Sequence, residues 1–389
     1  MHFAQRMERL GTETAFEVLA KARQLEAQGR DIIHLEIGEP DFDTPRNITE
    51  AAYKALRDGQ THYCPSGGIP ELREAVAEYI STSRGFPVDP DEVVITPGAK
   101  PIIFFGIMAC VDEGEEVIWP DPGFPIYPSV IDFVDAKPVS VVLREENEFR
   151  FDVDDLAAAI TPKTRMIIIN SPQNPTGSAL TKEDLERIAD LALKHDLIVM
   201  SDEPYCNMQY EGEHSSIAAL DGMKERTILL DGFSKTYAMT GWRLGYGVCD
   251  RELAAKIGRL MTNSCSCTPT FIQYAGVAAL RGPQDESKKM VAEFRKRRDV
   301  IVEGLNSLPG MSCITPKGAF YAFPNVTAYT IDCRELAAKI LNDGGVAVLS
   351  GTAFGEGGEG YLRLSYANSV ENIQEAIARM DKVVQKYVR

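Results

Sequence analysis

Residues 231–246 read DGFSKTYAMTGWRLGY and form the most informative segment of the chain. The segment follows a predicted β-strand, Thr227–Leu230. Lys235 stands directly behind Ser234, and Arg243 lies eight residues further on. A lysine at the end of a buried strand has a lowered pKa when it is desolvated or near cations, and it can then form a Schiff base. Serine and arginine suit a phosphate. Taken alone, a Ser-Lys pair is common, and a solvent-facing lysine is the alternative.

Short β-branched runs alternate with helical stretches through most of the chain, which is typical of an α/β fold. A helix is predicted after the turn at 97–100, and another between Asn170 and Leu197, where Thr181 and Asp184 resemble a capping box. The apolar character of the strands predicts a sheet that is buried on both faces. Further strands are predicted at Val93–Thr96, Glu116–Trp119, Met166–Asn170, Leu197–Ser201 and Leu244–Val248.

A different pattern begins near residues 282–283 and predicts a smaller α+β domain. A long charged helix is predicted from about Gln284 to Leu308, and a last helix at the C-terminus. Within the long helix, Arg295–Arg298 is interpreted as a solvated face rather than a basic binding patch. Strands are predicted between these helices at Ser312–Ile314, Ala319–Phe323, Val346–Leu349 and Tyr361–Ser365.

Composition excludes several classes of protein. The 389 residues include 41 Lys+Arg and 57 Asp+Glu, a net charge of −16, which disfavours nucleic acid and anionic membranes as partners. The longest apolar run, Pro101–Val111, falls short of the about 18 residues that a bilayer span requires. The N-terminus lacks a signal-peptide pattern, so we expect a cytoplasmic protein. The eight cysteines are scattered without a C-x-x-C pair, so neither a metal site nor a disulfide framework is expected.

Other chemically informative residues follow the predicted strands. Asp202 comes at the carboxyl end of a strand, where α/β folds place ligand-binding groups, and a cofactor with a protonated pyridine nitrogen needs such an anion. Residues 170–177 end a third strand in an Asn-Pro-x-Gly turn, which on its own indicates only a turn. Residues 96–100 offer backbone N–H groups to a phosphate at a helix N-terminus. Arg363, in an apolar strand, suits either a substrate carboxylate or a structural ion pair.

In their order and spacing these segments resemble the fold-type-I pyridoxal-phosphate aminotransferases of class I, the aspartate aminotransferase family. The resemblance runs from residues 38–42 to Arg363. It implies a large domain at 46–283, with a mostly parallel mixed sheet that carries pyridoxal 5'-phosphate, and a smaller α+β domain built from 1–45 and 284–389. It also implies a homodimer whose active sites are shared between the subunits.

The resemblance implies roles for individual residues at the cofactor. Lys235 would form the Schiff base and then move the α-proton. Asp202 would pair with the pyridinium nitrogen, while Asn174 and Tyr205 would bind the phenolic oxygen. Phe124 would stack on the ring, without the indole N–H of the tryptophan that many relatives carry there. The residues that would hold the phosphate are Gly98, Ala99, Lys100, Ser234, Arg243 and, from the partner subunit, Tyr63.

The substrate end of the site is assigned in the same way. Arg363 would bind the α-carboxylate bidentately, with Asn174 and the backbone of Gly38 beside it. Lys100 remains open between the phosphate, solvent and a distal substrate carboxylate. Dicarboxylate donors are the leading hypothesis, although residues 124–126 suit aromatic or aliphatic side chains.

The predicted function is transamination between an L-amino acid (aspartate, aromatic or alanine-like) and a 2-oxo acid such as 2-oxoglutarate. The alternative on the same scaffold is a C–S β-lyase or a related non-transaminating enzyme, because fold does not fix reaction. A cofactor-binding regulator is disfavoured, because such proteins usually carry an added DNA-binding domain, for which the sequence leaves no room.

Overall fold

The computed structural model describes residues 2–388, and this part of the chain forms twelve β-strands. The strands are β1 (Ile33–His34), β2 (Val93–Thr96), β3 (Glu116–Asp121), β4 (Lys137–Val142), β5 (Thr164–Asn170), β6 (Ile198–Asp202), β7 (Thr227–Gly232), β8 (Gly245–Val248), β9 (Tyr321–Ala322), β10 (Val346–Ala347), β11 (Leu349–Ser350) and β12 (Leu362–Ser365).

The same residues form thirteen α-helices, most of them connecting or covering the strands. The helices are α1 (Thr14–Ala27), α2 (Arg46–Arg57), α3 (Pro70–Arg84), α4 (Lys100–Cys110), α5 (Ile126–Phe133), α6 (Val153–Ala159), α7 (Lys182–His195), α8 (Phe233–Thr236), α9 (Arg251–Cys265), α10 (Thr270–Arg281), α11 (Asp285–Ser307), α12 (Cys333–Gly344) and α13 (Val370–Val384). Within residues 2–388, no helix combines the length and apolarity that crossing a bilayer requires.

Seven strands form one mixed sheet in the order β2-β8-β7-β6-β5-β3-β4. Strand β8 is antiparallel to both of its neighbours, and the other pairings are parallel. The predicted α/β class with a mostly parallel mixed sheet is therefore confirmed. All six predicted strands of this sheet are present, with ends that differ by up to two residues.

Strand β4, at the edge of this sheet, was not predicted from the sequence. It starts with Lys137 and Pro138, and most of its side chains are partly or fully exposed. Proline removes a backbone donor and is tolerated at a sheet edge. The strand therefore lacks the continuous apolar run that marks its buried neighbours.

The parallel strands end at one edge of the sheet and bring their last residues together there. Asn170 ends β5, Asp202 ends β6 and Gly232 ends β7. Helix α7 makes the crossover between β5 and β6. It begins with the predicted capping box, in which Thr181 and Asp184 exchange side-chain-to-backbone hydrogen bonds. Ligands of parallel α/β folds bind at this edge of the sheet. The segments that follow β5, β6 and β7 therefore position the site.

The C-terminal part forms a three-stranded antiparallel sheet, β11-β12-β9, and β10 pairs in parallel with β1 from the N-terminal segment. The predicted strand Ser312–Ile314 is wrong, because only a single bridge from Ser312 to Asn325 forms there. Of the strand predicted at Ala319–Phe323, only the two residues of β9 are in strand conformation. Val346–Leu349 divides into β10 and the start of β11, since the chain changes pairing partner at Val348.

The long helix is present as α11, but the solvated face predicted for Arg295–Arg298 is wrong for two of its four residues. Arg297 and Arg298 are buried. Arg297 pairs with Asp41 of the N-terminal segment at 2.6 Å, and Arg298 pairs with Glu211 at 3.2 Å. Carboxylates from distant segments join Glu293 and Asp299 of the same helix in compensating these charges, and the local sequence does not indicate the distant contribution.

Candidate active site

A cavity of about 520 Å³ lies at the carboxyl edge of the large sheet. The N-terminal segment and the strands β11 and β12 close its other sides. Gly98 and Tyr63 are not among the residues that line it. The predicted site residues that do line it are Gly38, Ala99, Lys100, Phe124, Asn174, Asp202, Tyr205, Ser234, Lys235, Arg243 and Arg363.

Lys235 reaches the cavity from α8, the single turn that follows β7. Its amine donates a hydrogen bond to the Gly38 carbonyl. Burial lowers the pKa of Lys235 to about 8, with Arg363 and Arg243 adding to the effect and Glu39 opposing it. The neutral amine is the nucleophilic form, so this lysine is far better prepared for covalent chemistry at neutral pH than an exposed one.

The opposite wall depends on a glycine at position 38. A Cβ atom on Gly38 would lie 2.1 Å from the Tyr321 hydroxyl, which is too close for a residue with a side chain at position 38 while Tyr321 stays in place. The Tyr321 hydroxyl in turn shares a 2.8 Å hydrogen bond with the hydroxyl of Tyr205. Gly38 therefore presents backbone without a side chain to the cavity.

Asp202 presents a buried carboxylate on the sheet side of the cavity. It is 4 % exposed and accepts a 2.5 Å hydrogen bond from the Tyr127 hydroxyl. Burial raises the pKa of Asp202 to about 7, with Asp231 and Glu203 adding to the rise while the hydrogen bond opposes it. A cationic group placed beside this carboxylate would offset the cost of its burial.

Arg363 supplies a buried guanidinium at the far end of the cavity and is 3 % exposed. It donates to the carbonyl of Glu36 and, at 3.5 Å, to Asn174 Oδ1. Within residues 2–388 its Nε–H has no hydrogen-bond partner. Burial lowers its pKa. An unsatisfied N–H on a buried arginine calls for an acceptor, and a carboxylate satisfies it best.

The start of α4 and Arg243 form the third corner. Gly98 has φ +83°, and a Cβ there would lie 2.3 Å from Arg243 Nη2, so only glycine allows the guanidinium to approach. Arg243 also donates to the Thr240 carbonyl at 2.8 Å. Ala99, Lys100 and Ser234 line the cavity beside it. Backbone N–H groups at a helix N-terminus together with an arginine suit a phosphate.

The side chain of Lys100 contacts two other residues that line the cavity. Its ammonium pairs with Glu13 and lies 5.2 Å from the centre of the Phe124 ring. Phe124 packs edge-to-face on Tyr127 with ring centres 5.9 Å apart. The distal-carboxylate role that the sequence left open for Lys100 therefore has a competitor in Glu13.

The family model for aminotransferases of class I and II matches residues 30–380. The chain belongs to this family. It is 46 % identical over 374 residues to an aspartate aminotransferase of Pyrococcus abyssi, covering 95 % of each chain. It is also 46 % identical over 365 residues to aromatic-amino-acid aminotransferase 2 of Thermococcus litoralis, covering 92 % of this chain and 94 % of that relative. The solved structure of the Thermus thermophilus aspartate aminotransferase with maleate matches with a TM-score of 0.94 at 38 % identity, covering 98 % of this chain and all of that one.

As an aminotransferase, the chain is an enzyme that exchanges amino groups between an amino acid and a 2-oxo acid, and its cofactor is pyridoxal 5'-phosphate. The residues present fit this cofactor. The cavity combines a desolvated lysine, a buried carboxylate and a helix N-terminus with an arginine, which match the aldehyde, the pyridine nitrogen and the phosphate. The unpaired Nε–H of Arg363 belongs to the same cavity.

Tyr63 lies apart from these residues in its own chain. Its side chain is 88 % exposed, so it is not an intrachain packing residue. A large aromatic side chain that is so exposed is free to contact a second molecule.

Sequence reasoning missed several residues of the aminotransferase site. Tyr321 and Phe354 flank the Arg363 guanidinium, with ring centres 4.7 and 5.1 Å away. Glu13 and Phe16 enter from α1 and the residue before it. Tyr127 lies three residues after Phe124 in the sequence, and this proximity is the signal that could have identified its hydroxyl as part of the site. The others come from distant segments that no local pattern marks.

Proposed function

We propose that this aminotransferase binds the α-carboxylate of an L-amino acid on Arg363 and moves its α-proton with Lys235. The unsatisfied, buried Nε–H of Arg363, in the same cavity as the low-pKa amine of Lys235, carries this proposal. A carboxylate on the guanidinium fixes one end of the substrate. The α-carbon then lies between Arg363 and Lys235, as proton transfer to a fixed base requires.

The remaining residues orient the reactants and exclude water. When bound, the cofactor supplies an electron-withdrawing pyridinium ring, which stabilises charge at the carbon that loses the proton. Asp202 would hold a proton on the ring nitrogen, and Asn174 and Tyr205 would bind the ring oxygen. Phe124 would cover the ring face. The phosphate would be held by Gly98, Ala99, Lys100, Ser234 and Arg243.

Arg363→Lys tests the carboxylate assignment. Lysine keeps the charge but loses the planar pair of donors, so we expect kcat/KM to fall by roughly tenfold to a thousandfold for every donor. Steady-state kinetics with aspartate, phenylalanine and alanine measure the effect. A fall confined to one donor would contradict a role at the α-carboxylate, which all donors share.

For the side chain of the donor, we propose aromatic or aliphatic amino acids in preference to dicarboxylates. The ammonium of Lys100, the cation that would bind a distal carboxylate, is already paired with Glu13. One of the two relatives is named for aspartate and the other for aromatic amino acids, so their names do not decide between the two donor classes. The apolar side chains that line the cavity include Ala15, Phe16, Ile37, Phe124, Leu349 and Phe354.

Glu13→Gln is the sharpest test of this preference. It frees Lys100, so we expect kcat/KM for aspartate to rise about two- to fivefold, in line with a partly exposed ion pair. The value for phenylalanine should change less than about twofold. Glu17→Gln, which removes the same charge from an exposed position of α1, is the matched control.

The wild-type enzyme supplies the first comparison in this experiment. It should prefer phenylalanine to aspartate with 2-oxoglutarate as acceptor, with formation of the new amino acid as the readout. A wild-type preference for aspartate that Glu13→Gln leaves unchanged would contradict the proposed donor class. Amino-group transfer to the acceptor would still establish transamination.

The assembly and the domains are also proposals. We propose a homodimer with shared active sites, because the exposed Tyr63 is free to reach the phosphate of the partner subunit.

We propose a large domain at 46–283 and a small one from 1–45 and 284–389, of which residues 1 and 389 lie outside the described residues. The pairing of β1 with β10 supports the joining of the two small-domain segments. A cytoplasmic location is proposed because the eight cysteines are free thiols, which a reducing compartment maintains.

A further inference from the structure

Behind the active site lies a buried charge cluster that the proposed chemistry does not use. Arg84, the last residue of α3, donates from Nε to Glu203 Oε2 at 2.9 Å and from Nη2 to Asp231 Oδ2 at 3.0 Å. The three side chains are each 2 % exposed. One guanidinium therefore bridges two carboxylates in a region that excludes water.

Both carboxylates are next to residues of the active site in the chain. Glu203 directly follows Asp202, and its N–H donates to the Leu230 carbonyl at 2.9 Å, which joins the ends of β6 and β7. Asp231 Oδ1 accepts from the N–H of Gly232 at 2.6 Å, at the residue that leads into α8 and Lys235. Because side chains alternate along a strand, Asp202 faces the cavity while Glu203 and Asp231 face away from it.

We propose that Arg84 is a positioning residue, which holds the ends of β6 and β7 together by binding Glu203 and Asp231 at once and so sets Asp202 relative to Lys235. The two active-site residues sit on different strands, and each is next to or near one of the bridged carboxylates. A shift of one strand end against the other would change the distance between them. The guanidinium fork connects the side chains at the two ends, in addition to the backbone hydrogen bond from Glu203 to Leu230.

The other contacts of the cluster fix its geometry further. Glu203 also accepts from Ser201 and Ser216 at 2.8 and 2.7 Å and contacts His214 Nε2 at 2.9 Å. Burial would raise the pKa of Glu203, but His214, Arg84 and Ser216 hold it at about 2. The other titratable groups that face the cluster are Tyr79, Cys206, Tyr237 and Tyr246.

Arg84→Lys tests the proposal, because an ammonium keeps the charge but cannot bridge both carboxylates in a fixed fork. We expect the Kd of the apoprotein for pyridoxal 5'-phosphate to rise about tenfold. We expect kcat to fall about ten- to a hundredfold, the range for a displacement of about 1 Å, while the donor KM stays within about twofold. The pH midpoint of the absorbance of the bound cofactor should also shift. Arg73→Lys is the control, since Arg73 lies on the same helix and pairs with Asp91 at 2.7 Å, away from the site.

The outcomes separate positioning from simple stabilisation. A loss of thermal stability with an unchanged cofactor Kd and an unchanged pH midpoint would overturn the proposal and leave the cluster structural. If Arg84→Lys does not fold, Glu203→Gln replaces it with the same readouts, because glutamine keeps the shape of the side chain and removes the charge.

The inference rests on the roles proposed for Asp202 and Lys235. Borohydride reduction of the wild-type enzyme is therefore run in parallel. A missing label on wild-type Lys235 would end the proposed role of that lysine. A labelled wild type with unaffected variants would end only the role of Arg84.

Discussion

Lys235→Ala is expected to lower turnover by more than about a thousandfold, the largest effect of any single substitution in this enzyme. Alanine removes the side chain that is proposed both as the nucleophile and as the base that moves the α-proton. The contacts proposed for the phosphate and the ring remain in the variant, so it should still bind pyridoxal 5'-phosphate. The measurement is steady-state transamination together with a cofactor titration of the apoprotein.

Covalent attachment gives a second readout of the same prediction. Borohydride reduction followed by peptide mapping should place the pyridoxyl group on Lys235. Lys100 lines the same cavity and is the natural control, since Lys100→Ala should leave the label where it is. A label on any other lysine would end the assignment.

The pH dependence of labelling follows from the depressed pKa of this amine. The pKa of about 8 means that Lys235 loses its proton well below the pH at which an exposed lysine does. In the apoprotein, an amine-specific reagent should therefore modify Lys235 with a midpoint near pH 8. A midpoint near that of ordinary lysines would show that the amine is not desolvated.

Much of this fold could be predicted because its decisive elements are local. The strands that end at Asn170 and Asp202 are continuous apolar runs, and a buried parallel sheet needs such runs. The side chains that follow them reach one edge by geometry alone. The site residues on these strand ends were therefore predictable before their contacts were known.

The features that could not be predicted from the sequence depend on contacts between residues that are distant in the chain. The buried Arg297 pairs with Asp41, and the two residues are 256 positions apart. Glu13 reaches Lys100 across 87 residues. Ser312 forms a single bridge with Asn325 instead of a strand, and Asn325 also bridges Tyr361. Charge compensation and strand pairing of this kind are tertiary, so no local pattern carries them.

Asp202→Ala is expected to have the second-largest effect, a loss of kcat/KM of roughly a hundredfold to a few thousandfold. Removing one partner of a buried ion pair costs about 3–5 kcal/mol, and each 1.4 kcal/mol corresponds to a tenfold change. Asp202 is proposed to hold a proton at the ring nitrogen, so without its carboxylate the ring would withdraw less charge and the proposed proton abstraction by Lys235 would slow. Reconstitution with an N-methylated cofactor analogue should restore part of the activity, because the positive charge then needs no proton.

Two further variants separate charge from structure at this position. Tyr127→Phe removes the 2.5 Å hydrogen bond that lowers the pKa of Asp202 and leaves the carboxylate in place, so its effect should be much smaller than that of Asp202→Ala. Asp202→Asn keeps the shape of the side chain but should be nearly as inactive as Asp202→Ala. Wild-type activity in Asp202→Asn would show that the carboxylate is only structural.

The apoprotein tests the same carboxylate without any cofactor. Its pKa of about 7 lies above the value of an unfolded aspartate, so the native state binds the extra proton between about pH 4 and pH 7. Stability falls with rising pH wherever the native state binds more protons than the unfolded one. Relative to Asp202→Asn, the wild-type apoprotein should therefore lose stability over this interval in denaturant titrations. A parallel pH dependence of the two proteins would place Asp202 in contact with water and remove the reason to expect a cationic ring beside it.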